Sequence, residues 1–235
     1  MNIVHGNHYS NFEHRSRHIL NDVQNIFVEV DMESKRDENR RNLRKRLIDA
    51  AEARISEKGL RGLKARDVTT DAGCALGALY NAVEDLDQLI LLVNSRTLAR
   101  LGDALRNAVD VNAAPADKMQ ALGKAYVDFA LANPRHWTAI FFHRLPEGRE
   151  VPDWHKEEHA QLIEQLIEPL SKMRPDLGPV ELRLRAGTLF AAVHGVVQLS
   201  LHGRFVGTPP ELLADEVKAL IDAMSRGTHL ANLTK

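Results

Sequence analysis

Apolar residues recur at helical spacing along most of the chain, and no stretch alternates with period two as a half-buried strand does. Leu43, Leu47, Ala51 and Ile55 fall four residues apart and predict a helix from near Glu38, stopped by Gly59. Two short helices are expected next. One covers about 65–72 with Val68 and Ala72 inward, the other about 75–82 with Leu79 and Val83 inward. Gly73 between them can take the left-handed turn conformation, and two short helices jointed in this way form a helix-turn-helix pattern. Asp85 and Gln88 make a capping-box start for a long helix to about Asp110. Pro115 opens another to about Ala132, and Asn133-Pro134 is read as the cap of a short apolar helix. Residues 145–152 read as a loop, followed by a helix from Asp153 and a break over 174–179. Two last helices are expected, at about 180–202 and from Thr208-Pro209-Pro210-Glu211 onward. The fold class is therefore all-α: an N-terminal three-helix bundle with a helix-turn-helix, and a larger C-terminal helical part.

Composition narrows the function classes. The chain has 235 residues, 44% of them apolar and 5% aromatic. The single cysteine, Cys74, excludes an internal disulfide and a cysteine-rich zinc site. No apolar run is read as a membrane span and none of the first thirty residues as a signal peptide, so the expected location is cytoplasmic, with no membrane partner. Residues 1–37, with His5, His8, His14 and His18 and no sustained periodicity, read as an extension without fixed structure. No phosphate loop, nucleophile elbow or metal motif is present; His155 and His159 stand at i, i+4 without an evident third ligand. The reading is of a chain that is not an enzyme and has no cofactor and no metal.

Charge is distributed unevenly. Net charge is −1, yet residues 35–66 hold 12 Lys and Arg against 5 Asp and Glu. Arg40, Arg41, Arg44, Lys45 and Arg46 crowd the first half of a helix, where the dipole favours acids. A nearby polyanion explains the placement, and so does a solvated charged face.

The stretch 47–94 resembles the DNA-binding region of TetR/AcrR regulators through Ala50-Ala51, Glu57-Lys58-Gly59, Leu63, Arg66-Asp67-Val68, Ala72-Gly73, Gly77-Ala78-Leu79-Tyr80 and Leu89. Later words, His143-Arg144-Leu145-Pro146-Glu147-Gly148 and Ala191-Ala192-Val193-His194-Gly195, resemble a subgroup of that family. The resemblance implies a DNA-binding domain at 38–85 and a ligand-binding and dimerisation domain at 86–228. It implies a homodimer that binds a double-stranded DNA operator and is released, as a repressor, by a small apolar organic effector. A helical module that binds ligand or protein without DNA is the alternative. By the resemblance, Ala75, Leu76, Ala78 and Asn81 face the major groove, Tyr80 lies on the backbone, and Arg41, Arg44, Lys45, Lys64 and Arg66 meet phosphates. Tyr80 and Leu76 read equally as core residues, and Arg66 as an ion-pair partner. Three positions depart from the family pattern: Lys64 replaces a common Thr, Val83 a Phe, and Glu84-Asp85-Leu86-Asp87 stands where a Lys is usual.

For the effector, Tyr126, Phe129, Trp137, Phe141, Phe142 and Phe190 are the candidate walls, with His143 and His194 as polar groups; core packing is the competing reading for each aromatic. For the dimer, Gly187, Ala191 and Gly195 make a small-residue stripe, joined by Leu213, Val217, Leu220 and Met224 of the last helix; packing within one subunit is the alternative.

Overall fold

The computed structural model describes residues 35–203 and 206–226, and among these every regular element is helical. The expected extension over 1–37 thus lies almost wholly outside the described residues; 35–37 are helical. Helix α1 runs over residues 35–58, and Leu47, Ala51 and Ile55 are fully buried on its predicted stripe. A 3-10 turn at Leu60–Gly62 leads to α2 (Ala65–Asp71) and α3 (Leu76–Ala82). Gly73, at φ +64°, makes the joint between α2 and α3 in the left-handed region that suits glycine. Val68, Leu79, Val83, Leu89 and Val93 close a first core with the α1 stripe.

Helix α4 (Leu86–Ala108) belongs to both halves of the molecule. Its first turns complete the N-terminal core, and Leu98, Leu101 and Leu105 enter the second. The start is held reciprocally: Asp85 Oδ1 accepts from the Gln88 amide at 2.7 Å, and Gln88 Oε1 accepts from the Glu84 amide at 2.8 Å. Helices α5 (Pro115–Ala132), α6 (Pro134–Phe142), α7 (Asp153–Met173), α8 (Pro179–Leu201) and α9 (Pro210–Arg226) build the body. Helix α5 packs against α4, α7 and α9, and α8 against α7 and α9. A Cβ at Gly123 on α5 would overlap Ile221 Cδ1, so glycine there sets how closely α9 approaches.

Two details differ from expectation. Asn133 does not cap α6 with its side chain; Nδ2 donates to the Phe129 carbonyl at 3.0 Å and closes α5 instead. Helix α8, Pro179–Leu201, is long and apolar enough, by length and composition alone, to cross a membrane, although no span was read from the sequence. Its apolarity serves two faces. Leu182, Ala186, Leu189, Val193 and Val197 are buried in the body, while Val180, Leu184 and Leu199 are exposed on another side.

Four histidines, His136, His143, His155 and His194, have pKa values pushed down chiefly by burial. His136 also feels Arg100, and His155 feels His159. Nearby carboxylates oppose the shift at three of them: Glu52 at His136, Asp87 and Asp85 at His143, and Glu158 at His155. The fold thus prefers these rings neutral, whereas an unfolded histidine titrates near about 6.5. Below that pH the unfolded chain takes up protons that the fold resists. Their contribution to stability is present above the unfolded pKa and is lost as pH falls through the lowered folded values. The melting temperature followed by circular dichroism is expected to drop as pH falls from neutral toward the mildly acid range. A flat profile would show that the rings accept protons without opening the structure.

Candidate nucleic-acid interface and effector core

The outer side of the N-terminal core is built by α3 and the first half of α1. Leu79 and Ala82 hold α3 down, which leaves Ala75, Leu76, Tyr80 and Asn81 exposed and Ala78 half-buried. Tyr80 is 55% exposed, which decides against a core role for it. Leu76, at 36%, is also outward. A Cβ at Gly77 would meet nothing within 4 Å, so the space beside it is open.

Arg41, Arg44, Lys45, Lys64 and Arg66 are exposed and make no ion pair with another described residue. Other cations of the same region behave differently. Arg54 ties α1 to Asp67 and Asp71 of α2, at 3.2 and 2.5 Å. Arg96 and Arg100 on α4 reach Asp49 and Glu52 on α1. The cations with a structural task thus have acids, and those assigned to phosphates do not.

Inside the body, the candidate effector residues separate into a cluster and two outliers. Trp137 is fully buried between Tyr126, with ring centroids at 4.7 Å, and Phe141, at 4.8 Å. Phe190 meets Tyr126 at 5.4 Å, and His194 meets Phe141 at 4.2 Å. The Tyr126 hydroxyl and His194 Nδ1 are 3.0 Å apart, and burial raises the pKa of the phenol. Phe129 is half-buried against the same core. Phe142 does not join it: it is 47% exposed and lies on His202. His143 also lies elsewhere, in a groove beneath the α6–α7 loop. Beside Tyr126 and Phe190 is an apolar cavity of about 30 Å³, room for roughly one water molecule.

The stripe assigned to dimerisation also divides. A Cβ at Gly187 or Gly195 would meet nothing within 4 Å, and Ala191 is exposed, so this part of α8 faces outward. Leu213 and Val217 of α9 are 0% and 2% exposed in the body's own core, so they are not at a surface another chain can reach. Leu220 and Met224 pack partly against the same core.

Three side chains that tie the two halves together were not singled out from the sequence. Arg135, at the start of α6, donates to the Ser56 carbonyl at 2.6 Å and to that of Glu57, closing the end of α1. Asn94 Nδ2 donates to the Ala139 carbonyl at 3.1 Å, fixing α6 to α4. Arg149 pairs with Asp85 and, at 2.9 Å, with Glu84. An asparagine on the apolar face of α4 was a readable signal for Asn94. For Arg149 the signal was the acidic turn 84–87, which needed a partner.

With this geometry in place, similarity to known proteins is specific. Residues 119–224 match the family described as Tetracyclin repressor-like, C-terminal domain. Over that stretch, slightly less than half of its length, the chain is similar to the C-terminal domain of TetR-type regulators. The HTH-type transcriptional regulator Rv1816 of Mycobacterium tuberculosis is 24% identical over 121 residues, 51% of this chain. The chain spans 52% of the length of that curated relative. A solved structure of a protein with unknown function from Rhodococcus sp. RHA1 is 25% identical, with a TM-score of 0.63, covering 79% of this chain and 94% of that one. The transcriptional regulator FadR from Bacillus subtilis in complex with stearoyl-CoA shares the fold at 13% identity and a TM-score of 0.61, covering 79% of this chain and 99% of that one.

Proposed function

We propose that this chain is a DNA-binding transcriptional regulator of the TetR family, a repressor that leaves its operator when a small apolar molecule enters the body. The observation that carries the reading is the exposed α3 surface flanked by cations without acidic partners among the described residues. Helix α3 presents Asn81 to base edges and Tyr80 to the backbone, while Arg41, Arg44, Lys45, Lys64 and Arg66 neutralise phosphates. The open space at Gly77 lets the helix backbone approach the groove wall closely. The acidic turn at 84–87 no longer favours a module that has lost DNA binding, because Arg149 occupies Asp85 and Glu84. A bacterial regulator acting on its chromosome works in the cytoplasm.

The effector site is the aromatic core, and the cavity there is too small for an organic molecule as it stands. Pockets for such ligands measure about 300–1,000 Å³. Binding must therefore displace helices, and its effect on DNA equals its preference for the displaced state. Helix α6 is the element positioned to carry that displacement. It brings Trp137 and Phe141 to the core, Arg135 to the carbonyls of α1, and Ala139 to the N-terminal core. The test is binding of the chain to DNA upstream of its own gene across a salt series. Specific binding that falls steeply with salt supports the reading, and no specific binding at any salt supports the interaction module.

The chain acts as a homodimer through α8. Val180, Leu184, Gly187, Ala191, Gly195 and Leu199 line one face, on which Val180, Leu184 and Leu199 are exposed beside the polar Thr188. A second copy seated there would cover them and set two recognition helices about 34 Å apart for successive major grooves. Leu184→Glu, with Leu184 54% exposed, is expected to give a folded monomer in sedimentation analysis. A dimer of unchanged affinity would move the interface elsewhere.

A further inference from the structure

The α6–α7 loop covers a groove of about 670 Å³ between α4, α6 and the start of α7. It shares no lining residue with the cavity beside Tyr126. Its walls combine apolar side chains, among them Leu91, Ile140 and Val151, with three cations, Arg144, Arg149 and Lys156, and no carboxylate lines it. Two of the acids nearby are engaged. Asp153 holds Lys156 at 2.9 Å, and Ser95 and His155 hold Glu158 at 2.6 and 3.1 Å. Arg144 is exposed and has no ion pair with another described residue. Among the lining residues Asn94 Oδ1 is buried without a hydrogen-bond partner, and His143 Nε2 faces Asp87 Oδ1 at 3.4 Å. Asn94 is 1% exposed and the His143 side chain 7%, so water does not reach them freely.

Arg149 sits at the rim and faces two ways. It lines the groove, and its guanidinium holds Asp85 and Glu84, directly after the recognition helix. Burial pushes the Asp85 carboxyl up, yet the Gln88 amide and Arg149 hold it below the ordinary carboxylate range.

We propose that this groove is a second ligand site, for a small organic carboxylate with an apolar body, and that its occupant draws Arg149 away from Glu84 and Asp85. The apolar walls take the body of the ligand, and the carboxylate sits between Arg144 and Arg149, where planar guanidinium forks match it. Burial disfavours charge on the rings of His143 and His155, whose polar edges line the groove. Releasing Arg149 frees the turn that ends α3, so the site biases the recognition helix directly, without passing through the aromatic core. That last step rests on the regulator reading; the binding itself does not.

The test is calorimetric titration of the full chain, free of DNA, with benzoate and with its neutral isostere benzamide. Saturable benzoate binding is expected, with benzamide at least about tenfold weaker, the worth of a charge-assisted hydrogen bond. Arg144→Ala, at an exposed position, is expected to weaken benzoate by a similar factor and to leave the melting temperature unchanged. Glu84→Gln removes a competitor for Arg149 and is expected to tighten binding about two- to fivefold, the worth of one exposed ion pair. Equal binding of acid and amide, an Arg144→Ala variant that binds like wild type, or no saturable heat with benzoate overturns the proposal. Should benzoate bind as expected while no DNA is bound at any salt, the site stands and the regulator reading falls.

Discussion

Replacing Trp137 by alanine is expected to cost about 3–5 kcal/mol of stability, the range for deleting a large buried aromatic. Trp137 is 0% exposed and stands where α5, α6 and α8 meet. Its ring touches Tyr126 and Phe141, and Nε1 lies 3.4 Å from Gln198 Oε1. Deletion removes the transfer energy of the indole and leaves a void that three helices must either tolerate or collapse into. A domain of ordinary stability holds only about 5–15 kcal/mol in total, so a large share is at stake. Urea denaturation followed by circular dichroism measures it. The N-terminal core should weaken with the body, because Ala139, two residues along α6, is buried in that core. An unshifted midpoint would show that the aromatic cluster contributes shape and not stability.

The joint replacement of Arg41, Arg44 and Lys45 by alanine is expected to abolish most DNA affinity while leaving the melting temperature intact. All three are exposed, and none is in an ion pair with another described residue, so the fold loses nothing by their removal. Each lost phosphate contact lowers the slope of log affinity against log salt by about 0.9. Binding isotherms at several salt concentrations report that slope. A loss of affinity with no change in slope would mean that these cations act through something other than phosphate. Asn81→Ala should behave in the opposite way, relaxing base preference by about 1–3 kcal/mol at one position with the slope kept.

The candidate interface was more legible in the sequence than the candidate effector core, for a physical reason. A helix-turn-helix is specified locally: Gly73 takes φ +64°, and Val68, Leu79 and Val83 are inward at the spacing the helices demand. Exposure of Tyr80 and Asn81 then follows from helical periodicity. Phe141 and Phe142, by contrast, are adjacent and chemically identical. One stacks in the core and the other lies on His202 because of tertiary packing that no local pattern contains. The clean apolar face of α9 shows that one side is buried but not against what, and Leu213 and Val217 turned inward onto their own chain. The pairing of Arg149 with Glu84 and Asp85 joins segments some sixty residues apart, so both charges were visible and their meeting was not.

Helices α4 and α6 each contribute to two cores, and this limits modularity. Leu89 and Val93 of α4 and Ala139 of α6 are part of the N-terminal core, while Leu101, Trp137 and Ile140 belong to the body. Cutting the chain after α3 would strip the N-terminal core of its floor. Under the proposed function, a change of operator must therefore proceed by changes on the outer surface of α3 and α1. Exchange of whole heads between bodies would require both shared helices to be rewritten together.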